Sequence, residues 1–284
     1  MILDKLLLVL TTHAEEAHEV VEHAAEHGAE HGGGAPELPN ILHMLYLAFG
    51  ETFHSFYLWE NVVFGFCVLL LFCFIATRIY RKREMIPGKL QNVAELAVEG
   101  LDNFFHSILG KHASRYTPFL GTLFIYILCM NLMGLVPFLK SPTSSMNITL
   151  SLALCTFFYV QAAGIRRLGI GGYIDHLLGS PRDVMGWVLA PINLPIHVLG
   201  ELAKPVSLSL RLFGNITGED VLIAAFTGLG IALLAFMHSP VGVPLQLPFY
   251  FLAILTSTIQ ALVFTLLSTV YFAMMMPHEH EEEH

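Results

Sequence analysis

Seven polar residues recur at steps of three and four through one apolar part of the chain: His197, Glu201, Lys204, Ser207, Arg211, Asn215 and Glu219. On an α-helix that spacing places them on one slowly rotating face. Their types suit proton exchange. An imidazole, two carboxylates and an ammonium can titrate, and the guanidinium among them keeps its charge in any ordinary environment. Arg211 stands among Leu208, Leu210, Leu212 and Phe213. At a bilayer centre such a cation costs about 3 kcal/mol on insertion scales, and about 10 or more on a lone helix in simulations. One intramembrane polar group can be a structural hydrogen bond. A stripe in register is expected to line a path, because such groups face a bundle interior or water. Leu202, Val206, Leu210 and Phe213 are expected on the opposite face.

Arg211 is too far from a helix end to snorkel, and a voltage sensor needs repeated arginines. Glu201 and Glu219 lie roughly 12–15 Å away along the axis. The partner of Arg211 is therefore expected on another segment or another chain. Gln260, the strongly polar mid-span group of STIQALVFTLLSTVYF, is expected to bond the guanidinium, with a bond to neighbouring backbone as the alternative. Gly214 and Gly218 form a G-x-x-x-G pair beside the stripe. They serve either ordinary helix packing or the close approach of a partner surface next to Arg211.

The elements that hold these residues are membrane helices. The 284-residue chain has a mean hydropathy of +0.63, 55% apolar residues and only 13% charged ones, about half the charged share of a soluble domain. The net charge of −9 comes from the ends. Residues 1–40 hold eight acids against Lys5, and 277–284 hold four glutamates, which leaves the body at +2. Apolar runs predict spans at about 58–80, 117–138, 147–165, 188–236 and 248–276. The last two are longer than a perpendicular crossing needs and are expected to tilt. Residues 88–110 alternate apolar and acidic faces at helical spacing and predict an interfacial amphipathic helix. Residues 168–186 read as a Gly-rich connector. The fold class is an all-α polytopic membrane protein, with about five membrane-embedded helices plus one interfacial helix. Arg78, Arg81, Lys82 and Arg83, then Arg166 and Arg167, mark cytoplasmic ends. The 1–40 tail therefore lies outside and the 277–284 tail in the cytoplasm. Cys67, Cys73, Cys129 and Cys155 have no metal-ligand spacing and read as small buried hydrophobes.

Some patterns carry no chemistry. His280 to His284 matches H-E-x-x-H, and His23, His27 and His31 match its inverted form. Segments built mostly of His and Glu produce such matches by chance, and a solvated tail is the default. Adventitious metal binding by His23, His27 and His31, at i, i+4 spacing, is the alternative to the solvated tail; no phosphate-loop motif is present, and nothing suggests a redox cofactor or nucleic acid.

KPVSLSLRLFGN followed by an acidic pair, then IQALVFTLLSTVYF, resembles subunit a of the F-type ATP synthase. PGKLQNVAELAVEG, MNLMGLVPF and NITLSLAL look like the same family's earlier segments, so the resemblance runs in order from about residue 57 to 276. It implies a stationary membrane subunit of the bacterial inner membrane, set against a rotating ring of c subunits. The b-subunit peripheral stalk and the catalytic head are its further partners. Protons would enter by one half-channel, ride the ring and leave by an offset second one. By position, Arg211 matches the family's essential arginine, with Asn215 and Gln260 among the polar residues around it. His197 and Glu201 would line the cytoplasmic half-channel, and Asn215 with Glu219 or Asp220 the outer one. Asp220 matches by position, while Glu219 fits the stripe better, and both stay open. Two positions depart from the pattern: Ala253 and Gly134 stand where many or some relatives carry an ionisable residue.

The chain is thus expected to be a translocating subunit, not an enzyme on its own. The competing classes are a secondary transporter with Arg211 binding an anionic substrate, and an intramembrane enzyme. The first lacks visible inverted repeats, and the second lacks a nucleophile–base pair.

Overall fold

A computed structural model describes residues 59–81, 88–136, 139–178, 184–235 and 244–275. The terminal tails, with His23, His27 and His31 and the 277–284 segment, lie outside the described residues. The described residues form six α-helices and no strand: α1 Glu60–Arg81, α2 Lys89–Leu109, α3 Ala113–Met133, α4 Met146–Leu178, α5 Val184–Ala235 and α6 Leu247–Met274. Among the described residues, four stretches are long and apolar enough to cross a membrane: α1, Gln91–Met133, Met146–Gly169 and α6. The 52-residue α5, with Glu201, Lys204, Arg211, Glu219 and Asp220 along it, is not among those four. The protein is an all-α polytopic membrane protein.

Several local features fix the helix ends. Gly110, at φ 55, turns α2 into a short 3-10 turn that leads straight into α3. A second 3-10 turn, Pro142–Ser144, caps the loop between α3 and α4. Helix α4 runs past residue 165 to Leu178, so the first half of the expected connector is helical. Gly169 breaks it at φ 70, ψ 169, a region essentially restricted to glycine. Helix α5 begins at Val184, ahead of the expected 188, and contains Pro191, Pro195 and Pro205. Each proline removes one backbone donor, and Pro205 frees the carbonyl of Glu201 one turn back.

Helix α4 packs along α5, and α3 along α6. The central core joins Ile127 and Met130 of α3, Leu208, Leu212 and Ile216 of α5, and Ala261 and Phe264 of α6. A second core, with Phe105, Tyr116, Leu120, Val160 and Phe272, joins the C-terminal half of α2 to the bundle. Val93 and Leu96, on the N-terminal half of α2, are exposed. So are Phe66, Leu69, Leu70, Leu71, Phe74 and Ile75 of α1, which is the outward face a lipid phase requires. The cysteines follow the same logic and correct the expectation of burial. Cys67, Cys73 and Cys155 are exposed and Cys129 is half-buried, because a hydrophobe in a bilayer gains nothing by facing inward.

Candidate functional site

The packing of α5 splits the polar stripe in two. Among the described side chains its buried positions are Pro205, Leu208, Ser209, Leu212, Ile216, Ile223 and Gly230. At 3.6 residues per turn they fill an arc of about 100°. Glu201 and Glu219 project into that arc, whereas Arg211 lies about 60° beyond its edge. Accordingly Glu201 and Glu219 are half-buried and bonded to other helices, while Arg211 and Asn215 are exposed. The expected opposite face is only partly separate, since Leu202, Val206 and Leu210 share the open side with Arg211.

One cluster sits toward the bundle end that carries Arg166 and Arg167. Gln161 donates to Glu201 Oε2 at 3.0 Å, and the Tyr173 hydroxyl donates to Gln161 Oε1 at 2.9 Å. Lys204 donates to the other Glu201 oxygen, one turn along the same helix. Its ammonium also lies 5.0 Å from the Tyr271 ring centre. Burial, and then the Glu201 charge, push the Tyr173 hydroxyl above the usual tyrosine range, so it stays a donor. A cleft lined by Thr156, Phe157, Glu201, Lys204, Leu208 and Tyr271 opens beside this cluster. His197 lies one turn before Glu201 and is exposed, outside the hydrogen-bonded group.

A second cluster lies toward the opposite end, near the loop between α3 and α4. Ser257 of α6 donates its hydroxyl to Glu219 Oε2 at 3.2 Å. Asn131 of α3 donates to the Ser257 carbonyl at 3.3 Å and accepts from Thr143 of the loop at 2.7 Å. Asp220 is half-buried with partners of its own. Between the clusters, Asn215 donates to Gln260 Oε1 at 3.4 Å.

Arg211 makes no hydrogen bond or ion pair among the described residues, although Tyr271 lies within its electric field. The expected amide–guanidinium bond is therefore absent. Gln260 is 4% exposed and turned inward to Asn215, while Arg211 is turned outward. The Gln260 amide nitrogen and Glu219 Oε1 are buried without hydrogen-bond partners. Around Gly214 and Gly218, no atom comes within 4 Å of where a Cβ would stand. The glycine pair therefore packs nothing within the described chain and lies open beside Arg211.

The family profile described as ATP synthase A chain matches residues 61–273, three-quarters of the chain. The chain belongs to the ATP synthase A chain family. A protein called ATP synthase subunit a from Protochlamydia amoebophila (strain UWE25) is 46% identical over 268 residues, covering 94% of this chain and 95% of its own length. Proteins of the same name from Oleidesulfovibrio alaskensis and Solidesulfovibrio magneticus are 40% and 37% identical. Each match covers 81% of this chain, and 88% and 90% of the respective relative. As an ATP synthase subunit a, the chain is a membrane component of that complex.

Sequence reasoning overlooked Gln161, Tyr173, Tyr271, Asn131, Thr143 and Ser257. Gln161 and Asn131 were detectable as lone amides inside apolar spans, since an intramembrane amide needs a partner. Ser257 stands one turn before Gln260 and shares its face. Tyr173 was not detectable, because its contact depends on the break at Gly169.

Proposed function

We propose that the chain is the proton-translocating stator subunit of the F-type ATP synthase, with two offset half-channels against the rotating c ring. Arg211 faces the ring carboxylate. The observation that carries this reading is the open, unbonded guanidinium of Arg211 between two bonded carboxylate clusters that lead toward opposite ends of the bundle. A cation held on the open, membrane-facing side of a helix without a counter-charge is costly, so its position calls for an anion from another chain. The open glycines Gly214 and Gly218 let that chain approach closely.

The chemistry follows from the fixed charge. Arg211 favours the ionised ring carboxylate and so drives proton release as each ring subunit passes. It also stops a proton from crossing directly between the half-channels. Glu201 with His197 serves the cytoplasmic side, and Glu219 or Asp220 with Asn215 the outer side. Gln260 holds Asn215 in place. Lysine would serve less well than Arg211, because its charge is readily lost on burial. The b-subunit stalk holds the chain still against the ring and links it to the catalytic head. In the inner membrane, the ends bearing Arg78, Arg81, Arg166 and Arg167 face the cytoplasm, with the N-terminus outside and the C-terminus inside.

The test is Arg211→Ala in the assembled complex, read by ATP-driven acidification of inverted membrane vesicles. Pumping is expected to vanish while the catalytic head still assembles and hydrolyses ATP. Retained pumping would refute the mechanism.

A further inference from the structure

At the bundle end that carries Arg166 and Arg167, basic residues crowd the gap between α3 and α4: Lys111, His112 and Arg115 on one side, the two arginines on the other. Helix α3 packs along α6 and α4 along α5, so α3 and α4 meet through side chains. The Phe119 and Tyr159 rings stack across the gap at 4.4 Å, and Tyr116 meets Tyr159 edge-on at 6.5 Å. Phe272 of α6 closes the gap from behind, 4.7 Å from Tyr116. The Arg167 guanidinium carbon lies 5.8 Å from the Tyr116 ring centre, and its Nη2 lies 3.3 Å from His112 Nδ1. Arginine only donates, so Nδ1 accepts and the imidazole proton sits on Nε2. The gap therefore has an aromatic floor and a cationic rim.

Three cations on that rim have nothing to pair with. Lys111, Arg115 and Arg166 are exposed, and none makes a hydrogen bond or ion pair among the described residues. On α2, Asp102 faces His106 and Glu95 faces Gln91, and the first turn of α3 contains no acid. On α3, Arg115 stands about 60° round from His112, away from the buried Ala113 and Tyr116. On α4, Arg166 stands about 100° round from Arg167, away from the buried Val160 and Gly164. Both arginines are thus turned to the lipid side of the gap. Deeper in the membrane, Thr122 shares the face of Arg115 and Cys155 that of Arg166, each within about 20°, and both are exposed. Basic residues fix which side of a membrane a helix end takes. Topology alone asks for no aromatic-floored gap with unpaired cations on both rims.

We propose that the gap between α3 and α4 binds an anionic phospholipid of the adjoining leaflet. Charge complementarity names the occupant. The headgroup phosphate lies between Arg115 and Arg166, with Lys111 at its outer edge. One acyl chain runs over the Phe119–Tyr159 stack and past Cys155, which stands about 16 Å along the axis from Arg166. A soluble anion would satisfy the rim and leave the aromatic floor uncovered. Arg167, held by His112 and Tyr116, keeps the two helix ends at the separation the headgroup needs. The inference is independent of the motor reading above.

The experiment uses the full chain in phosphatidylcholine vesicles, with Cys67, Cys73 and Cys129 replaced and a fluorophore on Cys155. Phosphatidylglycerol and phosphatidylcholine probes, each with a nitroxide midway along one acyl chain, are compared as quenchers. Each Lys or Arg at an anionic surface contributes roughly fivefold, so the phosphatidylglycerol probe is expected to quench at a mole fraction more than about tenfold lower. Arg166→Gln should lower that preference about fivefold, and Lys111→Gln/Arg115→Gln/Arg166→Gln should abolish it. Melting temperatures should stay at the parent value, because these cations have no partner among the described residues. If the triple variant fails to fold, the parent comparison and Arg166→Gln alone decide. Arg78→Gln/Arg81→Gln, which neutralises equally exposed cations at the end of α1, should keep the preference. Equal quenching by the two probes, a preference that survives the triple substitution, or an equal loss in the Arg78 and Arg81 variant overturns the proposal. Displacement of the phosphatidylglycerol probe by millimolar inorganic phosphate overturns it as well, since that marks a site for a free anion.

Discussion

Gly169→Ala tests how a single backbone torsion holds the Glu201 cluster. Gly169 adopts φ 70, ψ 169, and no atom lies within 4 Å of where a Cβ would stand. The cost of alanine is therefore torsional alone, about 1–3 kcal/mol. That shifts the bent form of α4 against a straight one by roughly 5- to 150-fold. A straight α4 would carry Tyr173 about 18 Å along the axis from Gln161, which ends their 2.9 Å hydrogen bond. That bond returns only about 0.6 kcal/mol, the average for such contacts in a bilayer. The torsion outweighs that single bond, and the straight population is expected to grow against the remaining hold of the Asn193 amide, which donates to the Leu178 carbonyl at 3.1 Å. Spin labels at Phe158 and Asp175, both exposed, report the change by electron–electron distance measurement in a cysteine-free background. Seventeen residues of continuous helix span about 25 Å, and a population near that distance should grow in Gly169→Ala. An unchanged distance distribution together with unchanged thermal stability would refute the argument.

Other substitutions separate stability from function. A Cβ at Gly218 would meet nothing within 4 Å, so with Gly218→Leu the purified subunit should keep its detergent melting temperature while c-ring copurification falls sharply. Gln161→Leu removes both the Glu201 and Tyr173 contacts. At about 0.6 kcal/mol per bilayer contact, and up to about 1.7 for the charged one, thermal unfolding should register a loss of roughly 1–2 kcal/mol. A double-mutant cycle with Tyr173→Phe should show coupling between the two sites. Gln260→Leu deletes a buried amide nitrogen that has no partner. Relief of that desolvation, about 1–3 kcal/mol, offsets the lost 3.4 Å bond to Asn215. Stability should hold at or above wild type while ATP-driven pumping falls only in part.

The sequence by itself determined the class of protein and the helix carrying the stripe. Both depend on composition and on a period of 3.6 residues, which are local properties. The motif around Arg211 likewise depends only on residue order, and the family comparison matches the region from which it was recognised. The tertiary structure decided which stripe residues point where. Glu201 and Arg211 differ by only about 80° around α5, yet one is bonded to Gln161 and the other is open. That difference arises because α4 and α6 cover one arc of α5 and leave the next uncovered. Hydrophobicity could not assign the arcs, since in a bilayer leucines such as Leu202 and Leu210 face lipid as readily as Leu208 and Leu212 face the core. The Thr143–Asn131–Ser257 links and the return of Tyr173 to Gln161 join residues far apart in sequence. Contacts of that kind exist only once the chain has bent, so no local pattern encodes them.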